Sequence, residues 1–252
     1  MPAKPSEPET GAQTDSSPRS ANGARSAGYA SPSILARRHR ILDETRRMIG
    51  EVGIANLSMD DVAKRANVAK RTLYNAFQSK EHLIASAISK YFDDYASKID
   101  YSTEVATLEW MVERLVIVAQ RNLAIRNYTR ALMNIYFSSN VDPEIRQAIY
   151  EIASTSHEAY VLELDRRNQL QPWVDAEDLI AMLVRQRYAT AHAWAEGLIP
   201  DDQLVVELLR GFFTLMAGAA TGIARRQIVA LLADLEDNPL VRAASKAGTQ
   251  RK

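Results

Sequence analysis

Residues 57–83 read LSMDDVAKRANVAKRTLYNAFQSKEHL and form the most informative stretch of the chain. Ser58, with an aspartate three positions on, is a capping-box-like start for a short helix. Asn67 stands where the chain must turn sharply, and asparagine tolerates the left-handed backbone conformation better than most residues. A second short helix with Leu73 and Phe77 on its buried face follows. The spacing therefore predicts a helix-turn-helix.

The outer face of the second short helix carries residue types that bind DNA. In this motif the second helix enters the major groove, where lysine and arginine neutralise phosphates and asparagine pairs with base edges. A further helix begins near Lys80, which places this lysine beside a helix N-terminus that could dock on a phosphate. The residues predicted to point outward are Lys70, Arg71, Thr72, Tyr74 and Asn75.

The same stretch resembles the DNA-binding domain of the tetracycline-repressor (TetR-type) family of bacterial transcription regulators. The resemblance extends from the helix at Ile34 to the start of the helix at Lys80, and the family's spacing is matched without a gap. The residues that carry it are Ser58, Val62-Ala63, Ala66-Asn67-Val68-Ala69, Arg71-Thr72-Leu73-Tyr74, Phe77, Ser79-Lys80-Glu81 and Leu83.

The resemblance implies roles for individual residues. It implies phosphate contacts for Ser58, Thr72, Tyr74 and Lys80, and base or near-base contacts for Lys70, Arg71 and Asn75. Arg37 and Arg38 lie on a charged helix face near the DNA side and are added as candidates, although such faces are usually only solvated.

Three positions depart from the family's pattern. Asn67 replaces the usual turn glycine, which is physically tolerable. Ala69 replaces a serine that would cap the second helix, so a cap and a phosphate contact are lost. Arg71 replaces a glycine and adds a long cation on the groove side. We expect Arg71 to change the preferred DNA sequence and not the mode of docking.

Apolar residues recur at three- and four-residue steps nearly everywhere between the two ends of the chain, which predicts an all-α protein. Helix starts are indicated at Asp142, Asp175 and Asp201, and two long helices at 176–197 and 202–236. The predicted domains are a disordered N-terminal arm at 1–32, a three-helix helix-turn-helix DNA-binding domain at 33–80, a helical effector-binding and dimerisation domain at 81–237, and a flexible C-terminal tail at 238–252.

Composition excludes several function classes. The chain has no cysteine, so a disulfide framework, a cysteine-ligated metal and a thiol nucleophile are excluded. Its four histidines are scattered without metal-ligand spacing, and no catalytic or phosphate-cradling motif occurs, so we expect no metal, no cofactor and no enzyme. No signal peptide or membrane-spanning stretch is found, which favours a cytoplasmic location.

In families of this type the C-terminal helices build a ligand pocket and a dimer interface. Because pockets between helices are rich in aromatic and methionine side chains, we predict ligand contacts from such residues, which would otherwise fill a core. The predicted ligand-binding residues are Trp110, Met133, Tyr136, Phe137, His157, Tyr160, Tyr188 and His192. They suggest a small, largely apolar effector with a few hydrogen-bonding groups.

Small residues in the two long C-terminal helices favour close helix packing, as a four-helix dimer interface requires. The residues are Ala181, Ala189, Ala191, Ala193, Ala195, Gly211, Ala217, Gly218, Ala219 and Gly222. The alternative is that they pack within one subunit. A dimer has separate support, because two copies on a two-fold axis can read half-sites one helical turn apart.

The hypothesis is a ligand-responsive transcriptional repressor that binds a (pseudo)palindromic operator on double-stranded DNA as a homodimer and is released by its effector. The alternatives are a helical small-molecule binding protein with a vestigial helix-turn-helix and, with no cluster of titratable residues to support it, a helical enzyme. The effector, the operator, the regulated genes, the role of the arm and the choice between repression and activation are not encoded in any recognisable pattern.

The net charge of the chain is zero because two regions cancel. Residues 33–80 hold ten lysines and arginines against five acidic residues, and residues 81–252 carry the opposite excess of five acids. The sequence thus predicts a basic, DNA-facing domain joined to an acidic body.

Overall fold

The computed structural model describes residues 32–243, so residues 1–31 of the predicted arm and residues 244–252 of the predicted tail lie outside the described residues. We call residues 33–80 the N-terminal domain and residues 81–243 the body. The helices are α1 (Pro32–Val52), α2 (Met59–Arg65), α3 (Lys70–Phe77), α4 (Lys80–Ala96), α5 (Leu108–Ala124), α6 (Arg126–Tyr136), α7 (Pro143–Arg166), α8 (Ala176–Ala195), α9 (Leu204–Ala219) and α10 (Gly222–Ala233).

The N-terminal domain has the three helices that the spacing predicts. The side chain of Ser58 accepts a hydrogen bond from the amide of Asp61 at 3.1 Å and caps α2. Asn67 lies in the turn between α2 and α3 with φ of +49°, the left-handed conformation expected there. Leu73 and Phe77, on the inner face of α3, are completely buried. The predicted helix-turn-helix is confirmed by these local features.

Helix α4 joins the N-terminal domain to the body. Gln78 ends α3 with φ of +64°, so the chain reverses direction within two residues. Ser79 then caps α4, since its hydroxyl accepts a hydrogen bond from the amide of His82 at 2.9 Å. Helix α4 packs against α1 in the N-terminal domain and against α7 in the body. One rigid helix therefore touches both regions.

The body is a helical bundle with an apolar core, and the predicted all-α class is confirmed. Asp142 and Asp175 cap α7 and α8 as predicted, each accepting a backbone N–H in the first turn. The predicted start at Asp201 is wrong, because α9 begins at Leu204. Asp201 instead accepts a hydrogen bond from the indole of Trp194 at 2.9 Å and pairs with Arg126.

The long helix predicted at 202–236 is broken into α9 and α10. Ala220 is extended, and it forms an antiparallel bridge with Leu170, the one β pairing within residues 32–243. The amide of Thr221 donates to the carbonyl of Gln169 at 2.8 Å, and Gly222 adopts a φ of +57°. The break arises because the segment after α7 satisfies backbone groups that a continuous helix would have paired internally.

Residues 239–243, at the start of the predicted tail, are helical, and the side chain of Val241 is buried. No helix in the part of the chain that the structure describes is long and apolar enough to cross a membrane.

Candidate nucleic-acid interface and internal cavity

Helix α3 presents one buried and one open face. Lys70, Arg71, Tyr74 and Asn75 are exposed, and Thr72 is half-buried. Residues three and four positions apart share a helix face, so Lys70, Arg71, Tyr74 and Asn75 form one polar surface opposite the buried side of α3. Lysine, arginine and asparagine on an exposed helix of this length suit a major groove, which admits one α-helix.

Two of the predicted DNA contacts already have partners within the protein. The ammonium group of Lys70 donates to the Asp60 carboxylate at 2.7 Å, and this hydrogen bond raises the pKa of Lys70. The Ser58 hydroxyl is shared between the amide and the carboxylate of Asp61. A phosphate at either position must therefore compete with an aspartate.

Two arginines of α1 support the motif from behind. The guanidinium of Arg38 lies 4.4 Å from the centre of the Phe77 ring and donates to the carbonyl of Ala76 at 3.2 Å. Arg40 donates from Nε to the carbonyl of Ala66 at 2.9 Å, at the end of α2. The sequence suggested Arg38 for DNA contact, whereas the structure places it as a support for α3. Arg37 is exposed on α1, and Lys80 is half-buried at the start of α4.

A cavity with a volume of about 250 Å³ lies in the body. Its walls come from α4, α5, α7 and α8 and combine aromatic, aliphatic and hydroxyl side chains. Three arginines also line it: Arg114 and Arg121 from α5 and Arg187 from α8. The body, acidic as a whole, thus contains a cavity lined by three guanidinium groups.

Each of these arginines is held by neutral groups. Arg187 has 6% of its surface exposed and donates to the hydroxyl of Ser156 at 2.7 Å. Arg114 donates to the Tyr101 hydroxyl at 2.6 Å. Burial lowers the pKa of all three guanidinium groups, but arginine stays protonated in proteins. Three positive charges are therefore held at this cavity.

The eight residues predicted to bind a ligand lie elsewhere. None of them, all within residues 32–243, lines the cavity of about 250 Å³. Met133 and Tyr188 line a smaller adjoining space of about 30 Å³, and Tyr136 lines a surface groove. The remaining five are core, half-buried or exposed side chains away from these spaces: Trp110, His157, Tyr160, His192 and Phe137. Five of the eight are buried, as bulky apolar side chains in helical bundles are whether or not a ligand binds, so their contact with an effector stays a prediction.

A chain of ring contacts connects the cavity to the N-terminal domain. The Tyr91 ring of α4 lies 4.9 Å from the guanidinium of Arg46 in α1 and 4.9 Å from that of Arg121 at the cavity. The pKa of Arg121 is lowered by burial and then by the charge of Arg46. Tyr91 therefore lies between a guanidinium group of the N-terminal domain and one at the cavity.

The small residues of α8, α9 and the start of α10 divide between two environments. Ala191, Ala195 and Ala219 are buried within the subunit. Gly211 also packs within the subunit, because a Cβ atom there would lie 1.7 Å from the Gln186 side chain. Part of the small-residue pattern therefore reflects the packing of α8 on α9. The other small residues are half-buried (Ala181, Ala193 and Ala217) or exposed (Ala189, Gly218 and Gly222).

No group of three or more histidine, aspartate or glutamate side chains within residues 32–243 could hold a metal ion.

The N-terminal part of the chain matches known DNA-binding regulators in sequence. Residues 41–87 match the family described as bacterial regulatory proteins, tetR family. The chain is 39% identical over 103 residues to the HTH-type transcriptional repressor KstR of Mycolicibacterium smegmatis, a match that covers 38% of this chain and 50% of that protein. The chain thus spans about half the length of this curated relative.

Solved structures show the same fold over most of the chain. A TetR transcriptional regulator from Rhodococcus sp. RHA1 superposes with a TM-score of 0.54 and 21% identity, covering 72% of this chain and 97% of that chain. FadR of Thermus thermophilus, a TetR-family repressor solved with lauroyl-CoA, superposes with a TM-score of 0.53 and 17% identity, covering 73% of this chain and 96% of that one. The shared architecture therefore includes the body as well as the N-terminal domain.

Proposed function

Because residues 41–87 match the tetR family of bacterial regulatory proteins, we propose that the chain belongs to this family and is a transcriptional repressor that binds operator DNA and is released by a small-molecule effector. The observation that carries this proposal is the exposed polar face of α3, with Arg71 and Asn75 free to enter a major groove. The protein acts in the cytoplasm, where bacterial DNA lies.

The repressor binds as a homodimer. One α3 offers few base contacts, so a second copy related by a two-fold axis is needed to read a (pseudo)palindromic site. Support comes from the outer surface of α8 and α9, where Ala189 and Gly218 are exposed and Met182 has 44% of its surface open. Small exposed residues beside an exposed methionine let two helix pairs approach closely.

Helix α4 transmits the effector signal. Its first residue, Lys80, stands at the DNA side, and Phe92 and Tyr95 near its other end line the cavity. An effector that binds better when α4 takes a second position shifts the protein toward the form in which the two α3 helices no longer fit the operator. The lauroyl-CoA in FadR supports an organic effector for a protein with this fold.

The test is a gel-shift experiment with the DNA upstream of the protein's own reading frame. The wild-type protein should shift this DNA at low salt, and Arg71→Ala should shift it less or prefer another sequence. Arg225→Ala, which removes an exposed arginine from α10, is the matched control and should bind like wild type. A wild-type protein that shifts no DNA at low salt would contradict the proposal and favour a small-molecule binding protein with an inert helix-turn-helix.

A further inference from the structure

We propose that the cavity of about 250 Å³ binds an amphipathic organic carboxylate, whose negative charge is held by Arg114, Arg121 and Arg187. The inference rests on the proposed function in one respect only, which is that this carboxylate is called the effector. The binding site itself is argued from the side chains around the cavity.

The three guanidinium groups have no negative partner. Within residues 32–243, the ion pairs closer than 4 Å include none formed by Arg114, Arg121 or Arg187. Two carboxylates line the cavity, but Asp93 and Glu151 are both exposed to solvent. Arg187 is buried, and Arg114 and Arg121 are half-buried. A charge withdrawn from water without a partner is costly, so such ions in proteins are normally paired. An anionic ligand supplies the missing partner.

Unused hydrogen-bond donors point to the same conclusion. The Nε atoms of Arg114 and Arg121 are buried and make no hydrogen bond with any residue in the described range. Buried polar atoms are rarely left without a partner, and those that are require an explanation. A carboxylate has two acceptor oxygens and suits the fork of donors on a guanidinium group.

The surroundings keep these charges in place without cancelling them. Arg121 lies 4.4 Å from the centre of the Tyr95 ring, and Arg114 lies 5.1 Å from that of Trp110. Aromatic faces attract a cation through their quadrupole and leave its full charge available to a ligand. The hydroxyl groups of Ser156 and Tyr101 orient two of the guanidinium groups by accepting hydrogen bonds. The arginines are therefore pre-positioned for an incoming anion.

The remaining wall favours an apolar body on the ligand. Phe92, Ile99, Val118 and Ile152 line the same cavity. Pockets for small molecules are mostly apolar, with a few placed polar groups that fix the orientation. A ligand that satisfies both parts of this wall has a carboxylate at one end and a hydrocarbon or aromatic group at the other. Inorganic phosphate would satisfy only the arginines.

The experiment measures binding and thermal stability of the full-length protein without DNA. The probes are decanoate, 4-phenylbutyrate, the alcohol that corresponds to each, and inorganic phosphate. At least one carboxylate should bind and raise the melting temperature, and it should bind about tenfold or more tightly than its alcohol. The proposal is overturned if an alcohol binds as well as its acid, if phosphate alone binds, or if neither carboxylate binds at about 1 mM.

Substitution of the arginines tests the site in two ways, through carboxylate binding and through the melting temperature of the ligand-free protein. Arg187→Met and Arg114→Met should weaken carboxylate binding about tenfold or more, yet leave the melting temperature of the ligand-free protein unchanged or higher. Methionine keeps the packing and removes an uncompensated charge. A clear fall in the ligand-free melting temperature of both variants would show that the arginines are structural and would overturn the proposal. Arg225→Met on α10 is the control.

The two proposals fail separately. Carboxylate binding without any DNA shift would support the proposed anion site and contradict the proposed repressor function. A DNA shift without carboxylate binding would support the proposed repressor function and contradict the proposed anion site.

Discussion

In the N-terminal domain, Lys70 and Arg65 lie at the surface beside carboxylates, whereas Arg114 and Arg187 lie in the body among hydroxyl groups and aromatic rings. Arg65 donates to Glu51 at 3.1 Å and to Glu44 at 3.2 Å, and Lys70 donates to Asp60 at 2.7 Å. The cavity arginines have no such partner in the described chain.

This difference separates two ways of preparing a positive surface. Surface ion pairs are weak and exchange readily, so Lys70 can leave Asp60 for a phosphate at little cost. The cavity arginines are less exposed and are held by hydroxyl groups and aromatic rings, with no carboxylate to exchange for a ligand. This difference fits the two proposals, that the N-terminal domain binds DNA reversibly and that the body binds one small anion.

The largest expected effect tests whether the two regions unfold separately. Phe77→Ala removes a fully buried ring from the N-terminal domain and should destabilise that domain by about 3–5 kcal/mol. Hydrogen exchange should then accelerate in residues 41–77 while α7 to α9 stay protected. Phe77→Leu is the milder control. Equal acceleration of hydrogen exchange in both regions would show that the N-terminal domain and the body unfold as one cooperative unit.

The second prediction concerns a buried base of the body. His157 is fully buried with no hydrogen-bond partner in the described range, and its pKa is lowered well below 6.5 by burial and then by Arg187 and Arg114. Below pH 6.5 the imidazole of His157 becomes protonated in the unfolded chain but stays neutral in the folded protein. Stability should therefore fall by about 1.4 kcal/mol per pH unit as the pH drops from 6.5 toward the folded pKa.

Denaturant melts between pH 5 and pH 8 check this. His157→Leu should flatten the slope, and Tyr160→Phe, a core change on the same helix that adds no group titrating in this range, should keep it. An unchanged slope in His157→Leu would assign the pH dependence to other groups.

The third prediction tests base recognition by α3. Arg71→Ala or Asn75→Ala should each cost about 1–3 kcal/mol of discrimination at one or two base pairs and leave other positions unaffected. Binding to a library of operator variants measures this. A uniform loss over all sequences would instead assign these residues to phosphate contact.

The fourth prediction restores a missing cap. Ala69 precedes α3 without any side-chain hydrogen bond to it. Ala69→Ser should stabilise the N-terminal domain by about 1 kcal/mol and add a hydroxyl near the phosphates. Chemical denaturation checks the first effect, with Ala69→Gly as the comparison. If serine stabilises no more than glycine does, the side-chain cap does not form.

The smallest effect is expected for a single phosphate contact. Lys80→Ala should weaken binding to all DNA sequences by a similar factor and lower the slope of log affinity against log salt by about 1. Lys98→Ala, which removes an exposed lysine of the body, should leave the slope unchanged. If Lys80→Ala also leaves the slope unchanged, Lys80 does not contact a phosphate.

The sequence was sufficient for the helix-turn-helix and insufficient for the cavity. One signal for the cavity was available: Leu183, Arg187 and Ala191 follow one another at four-residue steps, so Arg187 stands on the apolar stripe of α8. A charged residue at a buried position requires a partner, and this pointed to Arg187 more directly than the aromatic residues did. Arg114 and Arg121 gave no comparable sign, because arginine on an amphipathic helix is usually solvated.

Features that depend on neighbours along the chain were readable from residues 57–83. A cap, a left-handed turn and a buried face arise within a few residues, where backbone geometry allows few alternatives, so Ser58, Asn67 and Leu73 could be assigned without a structure. The break after Ala219 and the meeting of three arginines from α5 and α8 depend on contacts between distant segments. Those contacts follow from how the helices pack, and helix periodicity alone does not specify which faces meet.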